Sequence, residues 1–161
     1  MNRLVVTDTG PLLHLADAGV LSILKLTGEI LVPQTVVDEL EHGNESNILT
    51  KVEHTVHDVE YDSETAYPHL DPGETAALIL CVGRDAVLLT DDLDARNTAT
   101  DEDIEVHGSV GVVLYAYSRG ELTDSEAKQI LRTLKQDTNL YLSTPLLEYA
   151  LQQVEVDDAG W

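Results

Sequence analysis

Residues 88–99, LLTDDLDARNTA, place Asp91, Asp92 and Asp94 where an apolar run hands over to a helical pattern. Like charges this close repel and raise one another's pKa unless positive charge sits among them. Helix capping, a salt-adapted surface or a bound divalent cation would each satisfy them. Asp8 stands at a comparable point, closing the apolar run RLVVTD before a helix opened by Gly10 and Pro11. There it either caps a turn or ligates a metal. Glu39 and Glu41 flank the apolar stripe of Val36, Val37 and Leu40 on opposite sides, so periodicity does not choose between them. Glu74 follows Asp71 by three residues, a capping-box pattern that accounts for both. A first-turn carboxylate on the rim of a sheet can still reach a crevice. In the opening stretch Asp91 is the expected cap, with Asp94 three residues on. That leaves Asp92 as the ligand candidate and Asp91 as its rival. Arg96, four residues beyond Asp92, reads either as its ion-pair partner or as a phosphate contact.

The elements that would carry these side chains alternate. RLVVTD, EILVP, DAVLLTD and IEVHG read as short buried strands. HTVHDVE is a further strand candidate, ESNILTKVE reads as helical and YDSETAYPHL as a loop. Helices are expected at TGPLLHLADAG, VLSILKL, QTVVDELEHG and DPGETAALILCVGR, where Pro72 suits the first helical position. Others follow at DLDARNTATDED, SVGVVLYAYSRG with Ser109 as cap, TDSEAKQILRTLKQ with a Thr123–Glu126 capping box, and TPLLEYALQQV. Short apolar strands alternating with helices predict an α/β fold, a central parallel sheet covered on both faces. Ligands bind such sheets beyond the C-terminal strand ends, where strand order reverses. Asp8 and the Asp91–Asp92 pair sit at two such ends. A single domain over residues 1–155 is expected, with 156–161 as a tail whose Trp161 either docks or frays.

The chain has 161 residues, 43% of them hydrophobic, enough for a real core. Its formal charge is −21, from 30 acids against 9 bases. No basic patch is visible, which by itself argues against nucleic-acid binding. The acids are spread along the whole chain and lysine is scarce, as in adaptation to a high-salt cytosol. At molar salt the Debye length is about 3 Å, so general repulsion from RNA is largely screened. No apolar run approaches a membrane span and no signal-peptide pattern opens the chain, so a soluble cytoplasmic protein without membrane contact is expected. The one cysteine, Cys81, lies in AALILCV and reads as a buried, inert thiol.

The stretches VVTDTGPL, VVDELEHG, DPGETAALIL, LLTDDLDARNTA and VHGSVGVVLYAYSRGEL, in this order, resemble the PIN-domain family of metal-dependent ribonucleases. The likeness is to a branch of short prokaryotic proteins with PGE and TDDxxAR motifs, and it covers roughly residues 3 to 122. It implies a three-layer α/β/α sandwich and an acid cluster binding Mg²⁺ or Mn²⁺. Matched one at a time, Asp8 corresponds to the first-strand Asp and Glu39 to the acid on the helix after the second strand, which breaks the tie with Glu41. Glu74 corresponds to the acid opening the central helix, and Asp92 to the T-x-D position, with Asp91 beside it. Ser109 falls where relatives have a small polar residue, and its backbone N–H at a helix start could meet a phosphate.

The resemblance implies hydrolysis of RNA phosphodiesters by Asp8, Glu39, Glu74 and Asp92 around one or two ions. Toxin-like relatives pair with small inhibitor proteins, which makes an antitoxin a partner to test. SVGVVLYAYS and PLLEYALQQV are either ordinary core or the face of a homodimer or partner contact. Two other readings stand beside the nuclease. One is a non-catalytic PIN-like module that binds nucleic acid or protein. The other is a metal-dependent phosphatase of another α/β family, disfavoured because no phosphate-cradling glycine loop and no D-x-D motif follows the first strand. His54 and His57 do not form a zinc pair, because three residues apart on a strand they face opposite ways. No G-x-S-x-G elbow or Cys–His pair points to nucleophilic hydrolysis.

Overall fold

A computed structural model describes residues 3–62, 66–157 and 161. The strands are β1 (Leu4–Thr7), β2 (Glu29–Pro33), β3 (Thr55–His57), β4 (Val87–Leu89) and β5 (Val106–His107). The helices are α1 (Thr9–Asp17), α2 (Gln34–His42), α3 (Pro72–Arg84), α4 (Leu93–Asp101), α5 (Ser109–Ser118), α6 (Asp124–Gln136) and α7 (Thr144–Glu155). VLSILKL and ESNILTKVE form tight 3₁₀ turns, at Leu21–Leu26 and Ser46–Lys51. Residues 63–65 of the expected loop and 158–160 of the expected tail lie outside the described residues. Among the described residues no helix is long and apolar enough to cross a membrane.

All strand pairs are parallel, in the order β3-β2-β1-β4-β5. Side chains alternate across the pleat, and so does the core. Val5, Ile30, Val32, Val87 and Leu89 meet α1, α2 and α5 on one face, with α6 and α7 packed behind α5. Val6, Leu31 and Leu88 stand in register and meet Ala77, Leu78 and Cys81 of α3 and Ala95 and Ala99 of α4 on the other. The result is the expected α/β/α sandwich. Burial pushes the Cys81 thiol up to about 12, consistent with an inert core position.

The chain builds outward from β1 through β2 to β3. It then crosses by α3 to the other side of β1 and adds β4 and β5. Strand order therefore reverses between β1 and β4, where a crevice opens beyond the strand ends. The Asp8 N–H extends the pairing to the Leu89 carbonyl at 2.9 Å, which sets Asp8 against Thr90 at that gap. Caps fix the helices that surround it. Asp71 and Glu74 form the expected box at α3, Thr123 and Glu126 form theirs at α6, and the Ser143 side chain caps α7. Trp161 docks, donating from Nε1 to the Gly111 carbonyl at 2.8 Å and stacking on His107 at 4.0 Å between ring centroids.

Candidate metal centre

The crevice is a hollow of about 400 Å³ whose walls include Asp8, Glu39, Asp71, Glu74, Asp91 and Asp92. These acids arrive from the ends of β1 and β4, from α2 and from the first turn of α3. Asp8 is buried and caps α1, accepting from the Thr9 N–H at 2.8 Å through Oδ1. Its Oδ2 accepts from the Thr90 hydroxyl at 2.9 Å. That hydroxyl in turn accepts from the Asp92 N–H at 3.2 Å, so one buried threonine ties the two strand ends together. Glu39, not Glu41, faces the hollow: its Oε2 accepts from the Thr9 hydroxyl at 2.5 Å, whereas Glu41 is exposed. Glu74 accepts from the Asp71 N–H at 3.0 Å through Oε2, and the Asp71 carboxylate accepts from the Glu74 N–H at 2.7 Å. Capping and facing the hollow are therefore compatible at α3.

The charge is unbalanced. Burial pushes the Asp8 carboxyl up to about 7 against the pull of its two hydrogen bonds, and Asp71 and Glu39 add to the rise. Burial also pushes Glu74 up to about 8, with Asp71, Asp8 and Asp92 contributing repulsion, and raises Glu39. Among the described residues no three His, Cys, Asp or Glu side chains already stand at metal-holding distance. The donor set nevertheless fits a hard divalent ion, being all oxygen and carrying surplus negative charge that such an ion offsets. Asp8, Glu39, Glu74 and Asp92 are the side chains that would hold it.

A pH signature follows. A carboxyl whose pKa is raised in the folded state binds its proton more tightly folded than unfolded, so it favours folding at low pH. That contribution is lost as pH rises from the ordinary carboxylate range through about 7 for Asp8 and about 8 for Glu74. Glu105, held low by Arg3, acts in the opposite sense below its ordinary value and outside this window, while His107, lowered from 6.5 by burial, opposes the trend only in the lower part of the window and leaves its upper part to the two acids. With EDTA in molar KCl, the melting temperature is expected to fall between about pH 5.5 and about pH 8. The increment on adding Mn²⁺ should grow over the same range, since the ion competes with those protons. An equal increment at both pH values would contradict this assignment.

Three expectations are corrected. Asp91 does not cap α4; Asp92 does, accepting from the Ala95 N–H at 2.9 Å, and Asp94 lies in the first turn. Asp91 is drawn sideways instead. Its Oδ1 accepts from the Ser109 N–H at 2.7 Å, and its Oδ2 from the Ser109 hydroxyl at 2.6 Å and from His14 Nδ1 at 2.7 Å. Both oxygens are engaged, and the carboxylate works as a strut joining α1, β4 and α5. Ser109 is consequently not a cap: Gly108 holds that position with no side-chain bond, and Ser109 is buried. Its N–H, expected to be open to a phosphate, is already donated to Asp91. Arg96 does not pair with Asp92, whose Oδ2 is committed to capping, and among the described residues it has no carboxylate within ion-pair distance.

Sequence reasoning missed four supports: Thr9, Thr90, Gly73 and His14. The T-D-T and T-D-D runs hold the only local signal, hydroxyls beside the acids they orient. Gly73 answers a close approach. A Cβ there would lie 2.3 Å from Glu39 Oε1, and the Gly73 N–H donates to the same carboxylate. Gly73→Ala should leave the melting temperature unchanged or slightly raised, because alanine favours the helix and the Glu39 terminus can swing aside. The displaced carboxylate should lower Mn²⁺ affinity by about 10–100-fold, as seen when a ligand loses its support, measurable by calorimetry. Unaltered affinity would show that Glu39 is no ligand.

A family model described as "PIN domain" matches residues 4–156. Among solved structures, the chain is similar to a PilT N-terminus domain protein from the hyperthermophilic archaeon Sulfolobus solfataricus P2. The two share 10% identity over 86% of this chain and 99% of that one, with a TM-score of 0.51, which is a likeness of fold. No curated protein matches.

Proposed function

The chain belongs to the PIN-domain family, a nuclease-type fold, and from that premise we propose that it is a Mg²⁺- or Mn²⁺-dependent endoribonuclease. The observation that carries this reading is the convergence of Asp8, Glu39, Glu74 and Asp92, from four separate elements, on one hollow at the switch point. A divalent ion held by these carboxylates would supply positive charge for a phosphodiester and would lower the pKa of a bound water. The chain's own part is positional. Thr9 and Thr90 lock the carboxylate of Asp8, Thr9 and Gly73 lock Glu39, and the caps of α3 and α4 aim Glu74 and Asp92. Asn139, Leu140 and Tyr141, between α6 and α7, line one side of the hollow. In the overall reaction the water oxygen bonds to phosphorus, one P–O ester bond breaks, and the proton passes to the departing sugar oxygen.

The test is cleavage of single-stranded RNA by the purified chain with Mn²⁺, with EDTA, and with a small phosphomonoester as competing substrate. Molar KCl is needed because a formal charge of −21 drives self-repulsion at low salt. RNA cleavage abolished by EDTA supports the proposal. Phosphomonoester turnover without RNA cleavage would make the chain a phosphatase, and neither activity would make it a binding module. A toxin role, with an antitoxin protein as partner, extends the reading. It is supported if expression of the wild-type chain, but not Asp8→Asn, arrests growth.

A further inference from the structure

A second cavity, of about 540 Å³, adjoins the acidic hollow and shares Asp91, Asp92, Leu140 and Tyr141 with it. Its character is different. Leu93 is 69% exposed and Tyr141 is 90% exposed, and Leu146 also offers apolar surface. Three exposed apolar side chains are thus gathered around one cleft rather than scattered over the surface. Arg96 lines the same cleft, beside Gly108, where a Cβ would come within 2.6 Å of its Nη1. The chain has 9 Lys and Arg against 30 acids. Arg3 and Lys128 are paired with Glu105 and Glu155; Arg96, like the remaining bases, has no carboxylate within ion-pair distance among the described residues, and it is the base that lines this cleft. Both oxygens of Asp91 and the Oδ2 of Asp92 are committed elsewhere.

An aromatic face, an aliphatic wall and a guanidinium without a carboxylate partner among the described residues, continuous with the acidic hollow, match the parts of one nucleotide. Resting on the nuclease reading, we propose that this cleft seats an unpaired nucleotide next to the cleaved phosphate. Its base lies against the Tyr141 ring between Leu93 and Leu146, and its phosphate on Arg96. The volume falls within the roughly 300–1,000 Å³ of small-ligand pockets. Stacking is indifferent to base identity and persists at molar salt, where phosphate contacts alone are screened. The cleft therefore selects single strands over duplexes, whose bases are not free to enter it.

The test is binding of a fluorescein-labelled single-stranded hexauridylate, by anisotropy in molar KCl with Mn²⁺, in the Asp8→Asn background where cleavage does not intervene. Tyr141→Ala should weaken binding roughly ten-fold, the usual loss of one stacked base, and Tyr141→Phe should restore it. Arg96→Gln should also weaken it. A hexamer with abasic sites should bind that background equally well with and without the Tyr141→Ala substitution. Equal affinities for the normal hexamer across all variants overturn the proposal, and loss of a dimer in Tyr141→Ala by sedimentation would assign the cleft to protein contact. The two readings fail separately. Tyr141-dependent binding by a chain that never cleaves RNA upholds the cleft and sinks the nuclease, while cleavage with kcat/KM unmoved by both substitutions does the reverse.

Discussion

Asp8→Asn should lower Mn²⁺-dependent RNA cleavage by at least about a thousand-fold, the loss of several kcal/mol of charge stabilisation at the phosphate. The fold should survive. Asparagine caps a helix as well as aspartate, so the Thr9 N–H keeps its acceptor and α1 keeps its start. The Thr90 hydroxyl, which now donates to Asp8, can rotate to accept from the new amide. Burial holds the Asp8 carboxyl at about 7, so above that pH the metal-free chain carries a buried charge that costs stability. At about pH 8 with EDTA, the variant should therefore melt no lower than the wild type. Its Mn²⁺-induced rise in melting temperature should shrink. A chain that loses activity and also melts early would point to a structural role instead.

The largest effect on stability is expected at Asp91. Its carboxylate is 8% exposed and holds two donors of Ser109 and one of His14. Asp91→Ala leaves those donors without a partner, and each buried unsatisfied group of this kind costs about 1–3 kcal/mol. For a chain of this size the three together amount to a fall of roughly 10 °C in melting temperature, read by calorimetry. Asp91→Asn should cost far less, because its amide oxygen still accepts from Ser109. Mn²⁺ affinity should be largely kept in Asp91→Asn and lost in Asp92→Asn. The reverse order would make Asp91 the ligand and Asp92 the strut.

The strand ends were legible because apolar runs as short as VVT and VLL end in acids, and the rule for parallel sheets says where such ends meet. That rule singled out Asp8 and the Asp91–Asp92 pair, but it did not choose between the two neighbours. Glu39 did not, since helical periodicity leaves Glu39 and Glu41 as mirror images. The difference is made by the Thr9 hydroxyl and the side-chain-free face of Gly73, both distant in sequence. The capping frame at residues 91–94 slipped by one residue for a similar reason. Adjacent acids satisfy the capping pattern equally, and what pulls Asp91 out of it is Ser109, 18 residues on, together with His14, 77 residues back. With Asp91 bound to it, Ser109 cannot cap its own helix, and with Asp92 capping, Arg96 has no i,i+4 partner. Helix periodicity revealed α6 and α7, but not that the segment between them stands over the hollow, which depends on how they pack behind α5.

The central claim is that acids from distant parts of the chain share one divalent ion. A crystal grown with MnCl₂ and measured at the manganese absorption edge tests it most directly. The account predicts an anomalous peak inside the hollow, bounded by oxygens of Asp8, Glu39, Glu74 and Asp92, that disappears in Asp8→Asn. Bound manganese elsewhere on the chain, with none in that hollow, would contradict it.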